Sequence, residues 1–383
     1  MTQTSRSGCW RTRKGDTMNQ IQIPAGSRDC MPGEVRRKRS LRHIIERVFA
    51  NSGCRPISTP AMEYLSTYTT AFADADETEM FRFQDGSGDT LVLRLDMTVP
   101  IARTASTKLR DERPLRLFYT EDVFKQRRLF GGKRSQVTDC GVEMIGLPPQ
   151  GDLEILALAC NVMSAIGRPG WILETGDIRF FQSAVETLGL DPDTVAELAD
   201  LIDRKSLPDL EAYLEDRDIG HREFFLMLPL LSGGQETLET ALEIAFTPEQ
   251  EACVKRLARL MDQLEALGYG GHLSVDLGKI PHLNYYTSLI FEGYFPGIGS
   301  SVLSGGRYDR LLEKFGAAEP ACGFSVKLDY LTDSEPEKPA KAATVIEAGP
   351  DALVQALKLA DEIRQTGPCV IEYREENGLE VRQ

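Results

Sequence analysis

The chain has little of what most catalytic or nucleic-acid-binding sequences advertise. Its 383 residues include four histidines (His43, His221, His272, His282) and eight irregularly spaced cysteines. No two cysteines form a CxxC pair, and no histidine stands at zinc-ligand spacing, so no metal site is expected. Scattered single cysteines in a chain of this length fit reduced thiols and a cytoplasmic location. No apolar run reaches membrane-spanning length, so no membrane partner is expected. Met1–Thr17 is polar, lacks the apolar core of a signal peptide, and reads as a disordered tail over 1–17. The Walker loop, HExxH, GxSxG and GxGxxG signatures are missing, so no cofactor is expected. A net charge of −14 and a pI near 5.0 argue against a general phosphate-binding surface.

What is present is a long central hairpin. Leu115–Lys125 is rich in aromatic and β-branched residues. Gln136–Ile145 reads as the returning strand, and Lys125–Arg134 is a basic turn around Gly131-Gly132. Asp139 and Glu143 are four apart on the second strand and face the same way by the period of two. Two acids beside a basic loop suit a small zwitterion or cation. A solvated hairpin with an acidic face is the competing reading.

Upstream, Pro32–Asn51 carries Leu41, Ile44, Ile45, Val48 and Phe49 at helical spacing, with Gly53 as its cap. Pro56–Glu63 is extended and broken by Pro60, which places it at an edge or interface. Glu79–Phe83 and Thr90–Arg94 pair around Asp85-Gly86-Ser87-Gly88 and run into Leu95-Asp96-Met97-Thr98. Asp96 can pair with an ammonium group and Thr98 can orient it, or either Asp96 or Thr98 can simply cap the next helix.

Downstream, Gly151–Gly167 reads as a helix and Trp171–Glu174 as a short strand. The stretch from Asp177 to about Gly268 reads as helical throughout, and its middle, about 180–250, as a helical insertion. Strand signals return at Leu273–Asp276, Tyr285–Glu292 and Ser301–Leu303. Gly305-Gly306 is expected at a strand end, where a ligand or helix could approach. Ala321–Leu331 reads as a strand leading into a helix. A charged linker over 333–342 precedes 343–383, which reads as one short β-α-β unit.

RLDMTVP, the hairpin ending CGVEMIG, LNYYTSLIFEGY, SGGRYDRLL and CGFSV occur in the order of the class II histidyl-tRNA synthetases, which the chain resembles over about Gln20–Leu331. The resemblance implies an α+β fold, a domain over 18–332 with an antiparallel sheet of six or seven strands flanked by helices, and a dimer. The Pro60 segment resembles the dimer-interface motif of that class. In such a site Asp96 and Thr98 correspond to the α-ammonium contacts. Glu143, Tyr285 and Tyr286 lie near the histidine side chain. Asp139 stands where the family has glutamine, and Lys125 completes the expected histidine-binding set.

Three departures bear on activity. Positions where the family has arginine hold Lys125, Pro281 and Tyr330. Losing one preorganised electrostatic partner of this kind typically costs about 10²–10³ in rate. The C-terminal unit resembles only the first part of an anticodon-binding domain. The combination, and Asp-Met in RLDMTVP, is similar to the regulatory subunits of heteromeric ATP phosphoribosyltransferase. That branch implies no catalysis by this chain and no tRNA partner. It implies a short-form ATP phosphoribosyltransferase catalytic subunit as partner, L-histidine as feedback ligand, and a self-dimer within a hetero-oligomer. The alternative is an active histidyl-tRNA synthetase or another synthetase-like ligase, with Lys125, Arg127, Arg128, Lys133 and Arg134 holding ATP.

Overall fold

The computed structural model describes residues 23–24, 26–72, 75–127, 134–217, 219–280, 286–333 and 343–382. They fall into two compact units, one from 23–30 and 38–333, the other from 31–37 and 343–382.

Helix α1 (Pro32–Asn51), which belongs to the larger unit from Lys38 onward, leads there to the strands β1 (Arg55–Pro56) and β2 (Met62–Tyr64). Helix α2 (Leu65–Ala71) and the hairpin β3 (Arg82–Gln84)–β4 (Thr90–Leu93) follow. Helix α3 (Thr98–Thr107) precedes the long hairpin of β5 (Leu115–Phe124) and β6 (Gln136–Ile145). Next come α4 (Gly151–Ile166) and β7 (Ile172–Asp177). A mostly helical run holds α5 (Arg179–Leu188), α6 (Pro192–Asp203), α7 (Leu207–Glu215) and α8 (Arg222–Met227). It continues through the two-residue strand β8 (Ser232–Gly233) to α9 (Glu236–Ile244) and α10 (Pro248–Ala266). The unit closes with β9 (Leu273–Asp276), β10 (Leu289–Tyr294), β11 (Leu303–Arg307), β12 (Ala321–Lys327) and α11 (Leu328–Asp333).

Nine strands form the main sheet in the order β1-β5-β6-β12-β11-β10-β7-β9-β8. It is antiparallel except at β1–β5 and β7–β9. This exceeds the six or seven strands expected. β1 and β8 are two residues long, too short to leave a period-two signal in the sequence. β8 also interrupts the stretch read as helical throughout. β7 does not stop at Glu174 but continues through Asp177, because Thr175, Gly176 and Asp177 pair with Phe291, Ile290 and Leu289.

The alternation of β5, β6 and β12 divides the molecule. Phe118, Cys140, Val142, Met144, Phe324 and Val326 point to one face and join Leu41, Ile45 and Phe49 of α1 and the apolar sides of α4, α5 and α10 in the larger core. Burying such side chains is worth about 1.5–3 kcal/mol each. Leu115, Leu117 and Tyr119 point the other way, into a second core with Tyr68, Met97, Ile101 and Tyr308. Helix ends follow their sequences. Gly167 caps α4 at φ +78°. Thr247 and Gln250 form a reciprocal capping box at α10, with Pro248 in its first turn.

The smaller unit has β13 (Thr344–Ala348), α12 (Leu353–Arg364), β14 (Cys369–Tyr373) and β15 (Leu379–Arg382). β13 and β14 are parallel, as a β-α-β unit requires. β15 adds a third strand, antiparallel to β13, that the sequence reading did not include.

Candidate ligand cavity

The site lies on the sheet face opposite the larger core. Register places its residues in rows. Lys327, Asp139 and Glu121 form one, Ser304, Ser325, Gly141 and Tyr119 the next, and Gly306, Gly323, Glu143 and Leu117 the third. The glycines and serines keep the floor low. A Cβ on Gly323 would overlap Glu143 Oε2 and lie 2.5 Å from the Val142 carbonyl oxygen, and one on Gly306 would lie 2.6 Å from the Tyr286 ring. The close approach expected at Gly305-Gly306 is therefore made by the Gly323 and Leu289 carbonyls of the neighbouring strands together with the Phe324, Phe291 and Tyr286 side chains, and the pair sits inside β11, not at its end.

Above this floor is a cavity of about 530 Å³. Asp96, Thr98, Lys125, Asp139, Glu143 and Tyr286 all line it, six of the seven residues expected there from the sequence. Tyr285, the seventh, lies outside the described residues, as do Pro281 and the hairpin tip 128–133. Tyr286 precedes β10, which opens at Leu289 and not at Tyr285.

The capping reading of Asp96 is realised, and the residue also lines the cavity. Its Oδ1 accepts a hydrogen bond from the Val99 N–H (2.8 Å) at the start of α3. The Thr98 hydroxyl is directed at a carboxylate, donating to Glu143 Oε1 (2.9 Å). The Tyr308 hydroxyl donates to Glu143 Oε2. Sequence reasoning passed over Tyr308 and Gly323. Both lay in quoted motifs, but only the β6–β12 register and the bond from the Tyr308 N–H to the Ala321 carbonyl reveal that they converge on Glu143.

The electrostatics are dominated by desolvation. Burial pushes the Glu143 carboxyl up to about 8, against the pull of the Tyr308 and Thr98 hydroxyls and with the Asp96 charge adding to the rise. Burial raises Asp139 to about 6, opposed by Lys327 and Lys125. Asp96 is raised by burial too, opposed by the Val99 N–H and by Lys125. Lys125 lines the same cavity, and its charge opposes the rise at both aspartates. Four further cations line the cavity: Lys327, Lys279 beside Glu292 (3.5 Å), Arg127 held by Glu79 (2.8 Å) and Arg134 held by Asp329 (3.0 Å). Tyr330 lines it where the family arginine would stand. Polar donors and acceptors of both signs around one cavity suit a small zwitterion. Among the described residues no group of His, Cys, Asp and Glu could hold a metal ion, and no helix is long and apolar enough to cross a membrane.

The histidyl-tRNA synthetase family model matches residues 26–331. The ATP phosphoribosyltransferase regulatory subunit of Acetivibrio thermocellus is 34% identical over 361 residues, covering 92% of this chain and 86% of the relative. That of Moorella thermoacetica is 35% identical, covering 92% of each. The chain belongs to the histidyl-tRNA synthetase family, in its ATP phosphoribosyltransferase regulatory-subunit branch. A crystal structure described as an ATP phosphoribosyltransferase regulatory subunit/histidyl-tRNA synthetase from Bacillus halodurans superposes with a TM-score of 0.83 at 27% identity, over 92% of this chain and 93% of that one.

Proposed function

We propose that the chain is a non-catalytic regulatory subunit that assembles with a short-form ATP phosphoribosyltransferase catalytic subunit, supports its activity and makes it sensitive to histidine. The observation that carries this reading is the unequal survival of the two halves of a synthetase site. The amino-acid half keeps its carboxylates, hydroxyls and Tyr286 around one cavity. The phosphate half has Lys125 and Tyr330 where arginines would stand, and lysine lacks the planar fork that grips a phosphate. Histidine is the proposed ligand of Asp96, Thr98, Lys125, Asp139, Glu143, Tyr285 and Tyr286. For feedback to follow, histidine must bind one state of the assembly more tightly than another, since equal affinity shifts nothing. Self-dimerisation, a cytoplasmic location and the lack of a tRNA partner belong to the same reading.

Arg127 and Arg134, which line the cavity, favour a second reading, an active synthetase with unusual phosphate ligands. Each is already bonded to a carboxylate, which counts against it. Equilibrium dialysis with labelled histidine and ATP–pyrophosphate exchange separate the two. Histidine binding without exchange is expected. Substantial exchange would overturn the regulatory reading, and no histidine binding would remove the pocket from it.

A further inference from the structure

The negative charge of the chain is concentrated in one place. Residues 180–250 carry 16 acidic and four basic side chains, so this helical insertion holds −12 of the total of −14. Its four bases are all engaged. Arg204 pairs with Asp200 (2.6 Å), Lys205 with Asp276 (2.7 Å), Arg217 with Glu197 (3.4 Å) and Arg222 with Glu215 (3.1 Å). Among the described residues, Glu239 and Glu243 on the exposed side of α9 form no ion pair.

Helix stability does not account for this placement. A helix C-terminus favours cations and disfavours anions. Yet α5, α6, α7 and α9 have no basic residue in their last turns, and place Glu186, Asp203, Glu215 and Glu243 there. Glu239 and Glu243 also stand four apart, where like charges destabilise a helix. Two exposed apolar side chains sit in this acidic stretch. Leu242 of α9 is 38% exposed, and Leu230, in the turn that leads through β8 to α9, is 55% exposed. Apolar residues within a charged rim are the anatomy of a protein-binding surface.

The charge selects the occupant. Nucleic acid and anionic lipid are repelled by it. A second copy meeting this surface symmetrically would set acid against acid, because a two-fold contact pairs a patch with itself. Helix α1 of another copy carries six basic residues, but Lys38 is held by Asp329 (3.0 Å) and Arg42 by Glu46 (2.8 Å). What fits is a separate protein face rich in lysine and arginine, with an apolar recess for Leu230 and Leu242.

We propose that the helical insertion, through α9 and the turn before β8, is the surface that docks a basic face of the catalytic subunit. This rests on the regulatory reading above. Leu230, Glu239, Leu242 and Glu243 are not among the residues that line the ligand cavity. Changing them therefore alters docking and leaves the cavity intact. Attraction between the two faces speeds their encounter and weakens as salt screens it.

The test is calorimetric titration of the full chain with a short-form catalytic subunit from the same organism, at about 0.05 M and about 0.5 M salt. The native chain is expected to bind more weakly at the higher salt. Glu239→Lys combined with Glu243→Lys should bind about tenfold or more weakly at low salt and lose most of the salt dependence. Leu242→Ser should weaken binding several-fold and keep the native salt dependence. Glu375→Lys combined with Glu376→Lys makes the same charge change on exposed residues of the smaller unit, and should bind as the native chain does. Thermal unfolding checks each variant, and Glu239→Gln with Glu243→Gln replaces the lysines if they fail to fold. Native affinity in the α9 variant would overturn the docking surface and leave the regulatory reading standing. An equal loss in the smaller-unit control would overturn it too, by making overall charge the cause. If the native chain alone sediments as a larger species than the α9 variant, the occupant is a second copy and the proposal falls. No binding of the native chain at either salt would overturn both readings.

Discussion

Glu143→Gln should make the empty protein more stable while weakening its ligand grip. Glu143 is 2% exposed, and burial raises its carboxyl from the ordinary 4.5 to about 8. Between those values the folded chain keeps a proton that the unfolded chain gives up. Native stability therefore declines as pH rises from about 4.5 to about 8 and is level beyond. At about 1.4 kcal/mol per unit, the shift corresponds to at most ~5 kcal/mol, an upper bound because relaxation and the two hydroxyl donors offset part of it. Glutamine mimics the protonated acid and still offers an acceptor and a donor to Thr98 and Tyr308. Asp139 and Glu174, raised to about 6 and about 7, titrate in both proteins and cancel in the comparison. Urea unfolding without ligand should show the two proteins alike near pH 4.5, with the variant several kcal/mol ahead above pH 8. Histidine should stabilise the native chain and do little for the variant. A difference that is flat with pH, or one that grows toward acid, would refute the reasoning.

Gly323→Ala should cost about 1–3 kcal/mol and displace Glu143, because part of the overlap is with the Val142 carbonyl and cannot be relieved by a side chain alone. Unfolding midpoints and histidine titration check it, and an unchanged pair of values would count against the packing described. Asp329→Asn should destabilise by about 2 kcal/mol by weakening the bonds to Lys38, Arg134 and the Thr138 N–H. Denaturant titration reads this directly, and a variant as stable as the native chain would contradict it. Burial pushes the thiols of Cys140, Cys160 and Cys322 up to about 12, whereas Cys30 is exposed. Iodoacetamide at mild alkaline pH should label Cys30 and spare those three until denaturant is added, with peptide mass mapping as the readout.

Much of this architecture was legible because its signals are local. The apolar spacing in α1, the alternation of β5 and β6, and Pro248 at α10 each write their structure into neighbouring residues. Asp139 and Glu143 were assigned to one face by counting alone, and both line the cavity. What stayed hidden depends on register between distant strands. Gly323 makes room for Glu143, and Tyr308 donates to it, only because β12 lies against both β6 and β11 in one alignment. Two-residue strands such as β1 and β8 carry no pattern of their own. Tyr286 was read as part of a strand because aromatics favour strands. It precedes β10, with its ring seated over Gly306.

The most direct test of the regulatory reading measures phosphoribosyl-ATP formation by a short-form catalytic subunit from the same organism, alone, with this chain, and with this chain under a histidine titration. The rate is expected to rise on mixing and to fall as histidine is added, with Glu143→Gln preserving the rise and blunting the fall. A mixture that does no more than the catalytic subunit alone would contradict the proposed function.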